Sequence, residues 1–172
     1  RLEEGASVKA RNRFGNTALI SATRAGSLDI VKLLVEKGSS VDMVNTNAET
    51  ALMNAASGGH EDIVDYLINN NANISKLSVK NTSALMEAVF AGHPSIVKTL
   101  LKFYADVSVE DHLGKTTLNY AAAKGNVEII QMLVEHGADI NRQSENNLTS
   151  LMWAAGYGKT EAVEILLKLG AD

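Results

Sequence analysis

The sequence predicts an all-α solenoid in which helix–turn–helix units stack side by side and hairpin-like turns project from one edge. A hydroxyl residue recurs every 33 residues, and a glycine follows each one at a fixed distance. A fixed period of this length is typical of repeat arrays. Aromatic residues are only 5% of the chain, which suits a stack whose units bury their faces against neighbours. The recurring residues are Thr17, Thr50, Ser83, Thr116 and Thr149, with Gly26, Gly59, Gly92, Gly125 and Gly158.

This period predicts one repeat domain over residues 1–172. It contains a partial leading segment and five units. The segment is 1–11, and the units, numbered one to five below, are 12–44, 45–77, 78–110, 111–143 and 144–172. Terminal repeats normally carry a polar capping face, and neither end shows one. We therefore expect an excerpt of a longer chain, with more repeats on at least one side.

Each unit is predicted to open with a tight turn. Its first residue is short and polar, as turns favour: Asn12, Asn45, Ser78, Asp111 and Ser144. The fourth residue ends the turn, where glycine is favoured: Gly15, Ala48, Asn81, Gly114 and Asn147. Ala48 fits this position poorly.

Two helices are predicted to follow the turn. The repeated Thr or Ser can cap the first helix through its hydroxyl group. The second helix is predicted to bury Ile30, Val31, Leu33 and Leu34, together with their equivalents in later units. His60 and His93 precede the second helix and are interpreted as turn or capping residues.

One of the five residues that end the second helices is predicted to have a strained backbone. The position is filled by Gly38, Asn71, Tyr104, Gly137 and Gly170, a pattern typical of a left-handed backbone. Tyr104 is the exception, and its strain is expected to be on the order of 1–2 kcal/mol.

The repeated segments resemble ankyrin repeats. The first-helix cores read TALISA, TALMNA, SALMEA, TTLNYA and TSLMWA, and the second helices follow the pattern of LDIVKLLVEKG and VEIIQMLVEHG. The likeness covers essentially the whole chain. It departs from the family at the usual Pro slot, which holds Ala, Thr or Ser, and at the His slot, which holds Ile20, Met53, Met86, Asn119 and Met152. Loss of every His at that slot predicts loss of the side-chain hydrogen bonds that the family makes there.

Composition and motifs give no support for catalysis, metal binding or a cofactor. The formal net charge of −4 disfavours a nucleic-acid partner, and the absence of cysteine excludes disulfides and thiolate chemistry. No apolar run reaches membrane-spanning length and no signal peptide is visible, so we expect a cytoplasmic protein without membrane insertion. Gly114-Lys115-Thr116 and Gly158-Lys159-Thr160 lack the preceding glycine of a phosphate loop.

Variation among the units predicts an exposed face on the first helix. One position changes freely while its neighbours stay mostly Leu and Ala: Ser21, Asn54, Glu87, Tyr120 and Trp153. A position that fills a core would not vary from Ser to Trp. The family resemblance implies that this face, with the turn tips, lines a concave groove that binds a protein or peptide.

The resemblance therefore gives two sets of candidate protein-binding residues. Aromatic residues are favoured anchors because they bury a large area. The helix-face set is Trp153, Tyr157, Tyr120, Lys124, Phe90, Glu87, Asn54 and Arg24. The turn-tip set is Arg13, Phe14, His112, Leu113, Glu145 and Asn146. The alternative for Trp153 and Tyr120 is that they pack on the neighbouring unit.

Charge and chain ends leave further alternatives open. Lys9, Arg11, Arg13 and Arg24 make the first end basic, which predicts a partner with acid at one end and an apolar segment over units four and five.

The units are alternatively a regulatory or docking segment of a larger enzyme or channel chain. A designed scaffold is disfavoured because the framework itself varies. End-to-end self-association is also open, with Leu2 of one copy against the last unit of another.

Overall fold

The computed structural model of the chain describes residues 7–172, apart from the side chain of Glu145. Leu2, the residue expected at an end-to-end contact, lies outside this range. The described residues form ten α-helices and one 3-10 turn at Glu145–Asn147, which confirms the all-α prediction. The α-helices are α1 (Ala18–Arg24), α2 (Leu28–Glu36), α3 (Ala51–Gly58), α4 (Glu61–Asn69), α5 (Ala84–Ala91), α6 (Pro94–Lys102), α7 (Thr117–Lys124), α8 (Val127–Glu135), α9 (Ser150–Gly156) and α10 (Thr160–Lys168).

The helices form two layers, with the core between them. The odd-numbered helices pack on one another in sequence order, and each also packs on the even-numbered helix that follows it. One leucine of every second helix is buried: Leu34, Leu67, Leu100, Leu133 and Leu166. The stack therefore repeats the same apolar contact from unit to unit, and each unit is stabilised by its neighbours.

The predicted turns are present at the start of each unit. In units one to four a side-chain oxygen of the first residue accepts two backbone N–H bonds, as Asp111 Oδ1 does from Leu113 at 2.8 Å and Lys115 at 2.9 Å. The fourth residue is left-handed in all five units, including Ala48 at φ +57°. This confirms that Ala48 occupies a position better suited to glycine.

Hydrogen bonds join the turn tips along the edge of the stack. Thr46 N donates to Phe14 O at 3.2 Å, Val79 N to Asn47 O at 2.9 Å, and His112 N to Lys80 O at 2.9 Å. Each of these bonds links one unit to the next. The tips of the first four units are therefore held at fixed spacing.

The first helices are capped as predicted. Each repeated hydroxyl accepts a hydrogen bond from the backbone N–H three residues later, at 3.1–3.4 Å. His60 and His93 do occupy N-cap positions of second helices, but their side chains make no capping bond. The His60 ring instead lies over Gly26, where an added Cβ would come within 2.6 Å of its Cε1. These histidines therefore contact the preceding unit.

Tyr104 confirms the strain predicted at the end of the second helix. Its φ is +61° and its side chain is 94% exposed. The two backbone bonds that end α6 remain intact, from Tyr104 N to Leu101 O and from Ala105 N to Leu100 O. No burial of the tyrosine ring offsets the left-handed backbone.

Two predictions of burial or bonding were wrong. Ile30 is 51% exposed and Leu33 is also exposed, because no described helix packs on that side of α2. The equivalents of Ile30 in later units are all buried, since each has a preceding unit. The side-chain bonds at the family's His slot are also not lost everywhere, because Asn119 makes them in unit four.

Candidate protein-binding surface

Side chains from α5, α7, α9 and the loops beside them enclose a pocket of about 430 Å³ on the outer face of the first helices. Phe90, Tyr120, Trp153 and Tyr157 supply aromatic walls. Three lysines, Lys115, Lys124 and Lys159, complete the rim, with Asn119 and Ala123 also lining the space. We call these nine residues the aromatic pocket.

The aromatic rings of the pocket form two contacting pairs. Phe90 and Tyr120 meet edge to face, with centroids 5.5 Å apart. Trp153 and Tyr157 stack with centroids 5.9 Å apart and an interplanar angle of 19°. Phe90 is 52% and Tyr157 60% exposed, whereas Tyr120 and Trp153 are half-buried. The pocket thus combines two held rings with two that remain available to a ligand.

Two of the lysines are held over aromatic faces. Lys115 Nζ lies 4.6 Å from the Trp153 ring centroid and 5.7 Å from that of Tyr120. Lys124 Nζ lies 4.4 Å from the Phe90 centroid. Cation–π attraction of this kind is worth about 0.5–1 kcal/mol at exposed sites. It places both ammonium groups at the pocket.

The third lysine is placed by a glycine of the preceding unit. Lys159 is the N-cap residue of α10, and its aliphatic stem crosses Gly125. A Cβ added at Gly125 would lie 2.9 Å from Lys159 Cδ. Lys159 thus packs over Gly125 as the His60 ring packs over Gly26. Unlike the histidine, it adds an ammonium group to the pocket rim.

Tyr120 is anchored by Asp111, the first residue of the unit-four turn. The Tyr120 hydroxyl donates to Asp111 Oδ2. Burial and this bond to a carboxylate raise the pKa of Tyr120. Burial would raise the pKa of Asp111, but hydrogen bonds from Tyr120, Lys115 N and Leu113 N outweigh it and lower that pKa. The pair therefore holds one wall of the pocket in place.

The pocket floor contains a buried polar network centred on Asn119. Its Oδ1 accepts from Thr116 N at 2.9 Å, and its Nδ2 donates to Ser150 Oγ of the next unit at 3.0 Å. Asn119 N in turn donates to Thr116 Oγ1. The network connects units four and five directly beneath the aromatic rings.

The helix-face candidates of the first units lie in a separate groove. Arg24, Asn54 and Glu87 line a second depression of about 300 Å³, together with Glu49. Arg24 donates to Asn54 Oδ1 at 2.9 and 3.1 Å and lies 3.6 Å from a Glu49 oxygen. Arg24, Asn54 and Glu49 therefore bind one another, while Glu87 accepts a hydrogen bond from Thr82 Oγ1 at 2.9 Å. We call this second depression the polar groove.

The turn-tip candidates lie along the adjoining edge, where they do not form one pocket. Arg13 is over the Phe14 ring at 4.6 Å, and both side chains are exposed. His112 shares a depression with Tyr120 and Phe90, and Leu113 is exposed beside it. Asn146 is exposed and left-handed, with φ +64°. The side chain of Glu145 lies outside the described part of the structure.

Sequence reasoning missed Lys115, Lys159 and Asn119 as pocket residues. Lys115 follows the unit-four turn and Lys159 precedes a second helix, so neither belongs to the first-helix face on which the units differ. The same comparison could have found them. Lys115 corresponds to Asn16, Glu49, Thr82 and Leu148, and Lys159 to Ser27, His60, His93 and Asn126. No other unit has lysine at either position.

The described residues thus define an all-α repeat protein whose face carries a pocket and a groove. No described helix has the length and hydrophobicity needed to cross a lipid bilayer. Nor does the described part of the chain bring together three or more His, Cys, Asp or Glu side chains able to hold a metal ion.

Comparison with known families agrees with this architecture. The family model described as ankyrin repeats (3 copies) matches residues 26–111 and again residues 85–172. The chain therefore belongs to the ankyrin-repeat family, whose members are generally protein–protein interaction modules. A comparison with curated proteins gives no match.

Proposed function

We propose that this chain is a non-catalytic module that binds a protein or peptide partner in the aromatic pocket. The observation that carries the proposal is the exposure of Phe90 and Tyr157 beside the half-buried Trp153, around one concave space. Exposed aromatic side chains that share a pocket are typical anchors of protein interfaces. A volume of about 430 Å³ is within the usual range for ligand pockets.

The ring positions support binding because the fold does not require aromatic residues there. The position of Phe90 holds Arg24, Ser57, Ala123 and Gly156 in the other units, and that of Tyr157 holds Ala25, Gly58, Ala91 and Lys124. Every one of these units forms the same helix pair. The aromatic groups therefore add a surface property to a scaffold that stands without them.

Affinity capture with a matched pair of double variants tests this function. The pocket variant is Trp153→Ala/Tyr157→Ala. The control variant is Phe103→Ala/Tyr104→Gly, which removes two exposed aromatic rings outside the pocket. Circular dichroism first establishes that both retain the helical signal. We expect proteins captured by the wild type and the control variant to be lost from the pocket variant.

Two results would contradict the proposal. Equal capture by the pocket variant would move the site to the polar groove, the turn tips or the second-helix face. Capture of nothing by the wild type would remove the support for a binding module. If the repeats are a docking segment of a larger enzyme or channel, the pocket variant would lose binding in the same way. The captured partner would then be another part of the same longer protein.

End-to-end association is a second candidate, supported by apolar residues on the two end faces. Ile30 and Leu33 are exposed on α2, while Met152, 53% exposed, and Leu167 are exposed on α9 and α10. Their equivalents in the middle units are at least half-buried against neighbours. Sedimentation equilibrium tests the idea, because Met152→Glu should abolish any concentration-dependent association. A wild-type chain that stays monomeric would overturn it.

A further inference from the structure

Resting on the proposed function, we infer that the aromatic pocket selects an acidic peptide segment. The segment has one bulky apolar side chain, which enters the pocket, and Asp or Glu residues on either side, which bind the lysines of the rim. This places acidic partner residues over units four and five, beside the apolar anchor, rather than at the basic first end.

The first support is the charge of the pocket lining. The chain as a whole has a formal net charge of −4, yet the nine lining residues include three lysines and no carboxylate. Within the described residues the ion pairs shorter than 4.0 Å are Arg24 with Glu49 and Arg142 with Glu110. None of the three lysines takes part in these pairs. Their charge is therefore available to a ligand of opposite sign.

The second support is the arrangement of apolar and cationic groups. Lys115 and Lys124 rest on ring faces, so their ammonium groups are already placed before a ligand arrives. Placing them in advance lowers the side-chain entropy lost on binding. Tyr157 and Phe90 remain exposed beside them and can contact an apolar side chain. A ligand that satisfies both kinds of group combines an apolar anchor with neighbouring carboxylates.

The third support is a contrast with the first units. Arg24 is the cation of the polar groove, and Glu49 and Asn54 already bind it. Of the other basic residues near that end, Arg11 donates to the backbone carbonyl groups of Gly15 and Val44, and Arg13 lies over the Phe14 ring. Arg24 and Arg11 are thus engaged in hydrogen bonds within the chain. The first end therefore offers less free positive charge than its composition suggests.

Synthetic peptides of equal length, labelled with fluorescein, give a direct test by fluorescence anisotropy. One peptide has a central Leu flanked by Glu, and its matched controls replace the Glu residues with Gln or the Leu with Gly. We expect the Glu–Leu peptide to bind at least tenfold more tightly than either control. Raising the salt concentration from about 50 to 300 mM should weaken it, because exposed charges are screened.

Lysine variants test the assignment of the charges. Lys115→Gln, Lys124→Gln and Lys159→Gln are each expected to weaken the Glu–Leu peptide about three- to fivefold, a typical range for exposed ion pairs. Lys98→Gln on α6 is the matched control, since it removes an exposed lysine outside the pocket.

Trp153 is the single tryptophan of the chain, so its intrinsic fluorescence reports occupancy of the pocket without a label.

Peptide selection from a random library separates failure of this inference from failure of the proposed function. Selected peptides that lack acidic residues, and that lose binding to Trp153→Ala/Tyr157→Ala, would overturn the inference and leave the proposed function standing. Peptides that bind the pocket variant as well as the wild type would overturn both. Binding of the Gln-flanked peptide equal to that of the Glu-flanked one would also overturn the inference.

Discussion

The polar groove of the first units and the aromatic pocket of the last units are built on equivalent helix pairs but differ in chemistry. In the polar groove Arg24, Glu49 and Asn54 bind one another. In the aromatic pocket two of the three lysines lie on rings, and the polar network lies beneath the rings. The contrast shows that one scaffold can hold either an arginine bound by neighbouring polar side chains or lysines placed on aromatic rings.

The largest expected effect is loss of the network under the aromatic pocket. Asn119→Ala should lower the free energy of unfolding by about 2–3 kcal/mol, because buried partners at Thr116 and Ser150 lose their hydrogen bonds. Urea denaturation measures it. In the polar groove the same repeat position holds Met53, so Met53→Leu provides a mild control, expected to cost less than about 1.5 kcal/mol. Equal losses would show that the network adds nothing specific.

Removal of the Tyr120 hydroxyl should have the next largest effect. Tyr120→Phe is expected to cost about 1.5 kcal/mol near neutral pH, a typical value for a hydrogen bond to a charged group. A loss below the error of the urea midpoint would mean that the bond to Asp111 is not formed in solution.

The pH dependence of that variant sharpens the same comparison. The lowered pKa of Asp111 contributes stability that is present above the ordinary Asp pKa of about 4 and is lost as the pH falls through its folded value. The raised pKa of Tyr120 contributes stability that is lost as the pH rises above about 10. The difference between wild type and Tyr120→Phe should therefore narrow at both extremes. Urea titrations across pH check this, and a constant difference would contradict it.

Replacement of Thr23 in the first unit is expected to change the free energy of unfolding by a smaller amount, and to raise it. Its hydroxyl is buried and has no hydrogen-bond partner, whereas the equivalent residue in unit three is Val89. Thr23→Val should raise the free energy of unfolding by about 1 kcal/mol, since it removes an unsatisfied polar group at nearly constant volume. Thermal denaturation measures the gain. A destabilised variant would indicate that the hydroxyl is bonded in solution.

The smallest effect is expected at the exposed ion pair of the polar groove. Arg24→Gln should change the free energy of unfolding by less than about 1 kcal/mol, because exposed pairs contribute little. Peptide binding at the aromatic pocket should be unchanged in the same variant. Weaker binding would show that the two regions act as one surface.

Local chemistry explains which parts of the fold could be predicted from the sequence. The caps at Thr17 and Thr116, the left-handed Ala48 and the strained Tyr104 each depend on a few neighbouring residues, so a repeated pattern identifies them. Ile30 was wrongly expected to be buried because burial depends on a neighbouring unit that the helix pattern does not describe.

The aromatic pocket was only partly predictable for the same reason. Phe90, Tyr120, Trp153 and Tyr157 were candidates, because comparison of units identifies variable positions on one helix face. Packing between units brings these rings around a single space with Lys115 and Lys159, and the helix pattern does not describe that packing. The role of all these residues in binding stays a prediction until the variants are measured.

The row formed by Ser21, Asn54, Glu87, Tyr120 and Trp153 has a consequence for how such a protein can evolve. None of these side chains is fully buried, whereas the repeated leucine of every second helix, from Leu34 to Leu166, is buried. Duplication of a unit copies its cap, turn and core, and leaves the outward residue open to later mutation. A lineage can therefore acquire a new binding preference one substitution at a time, without first inventing a new fold.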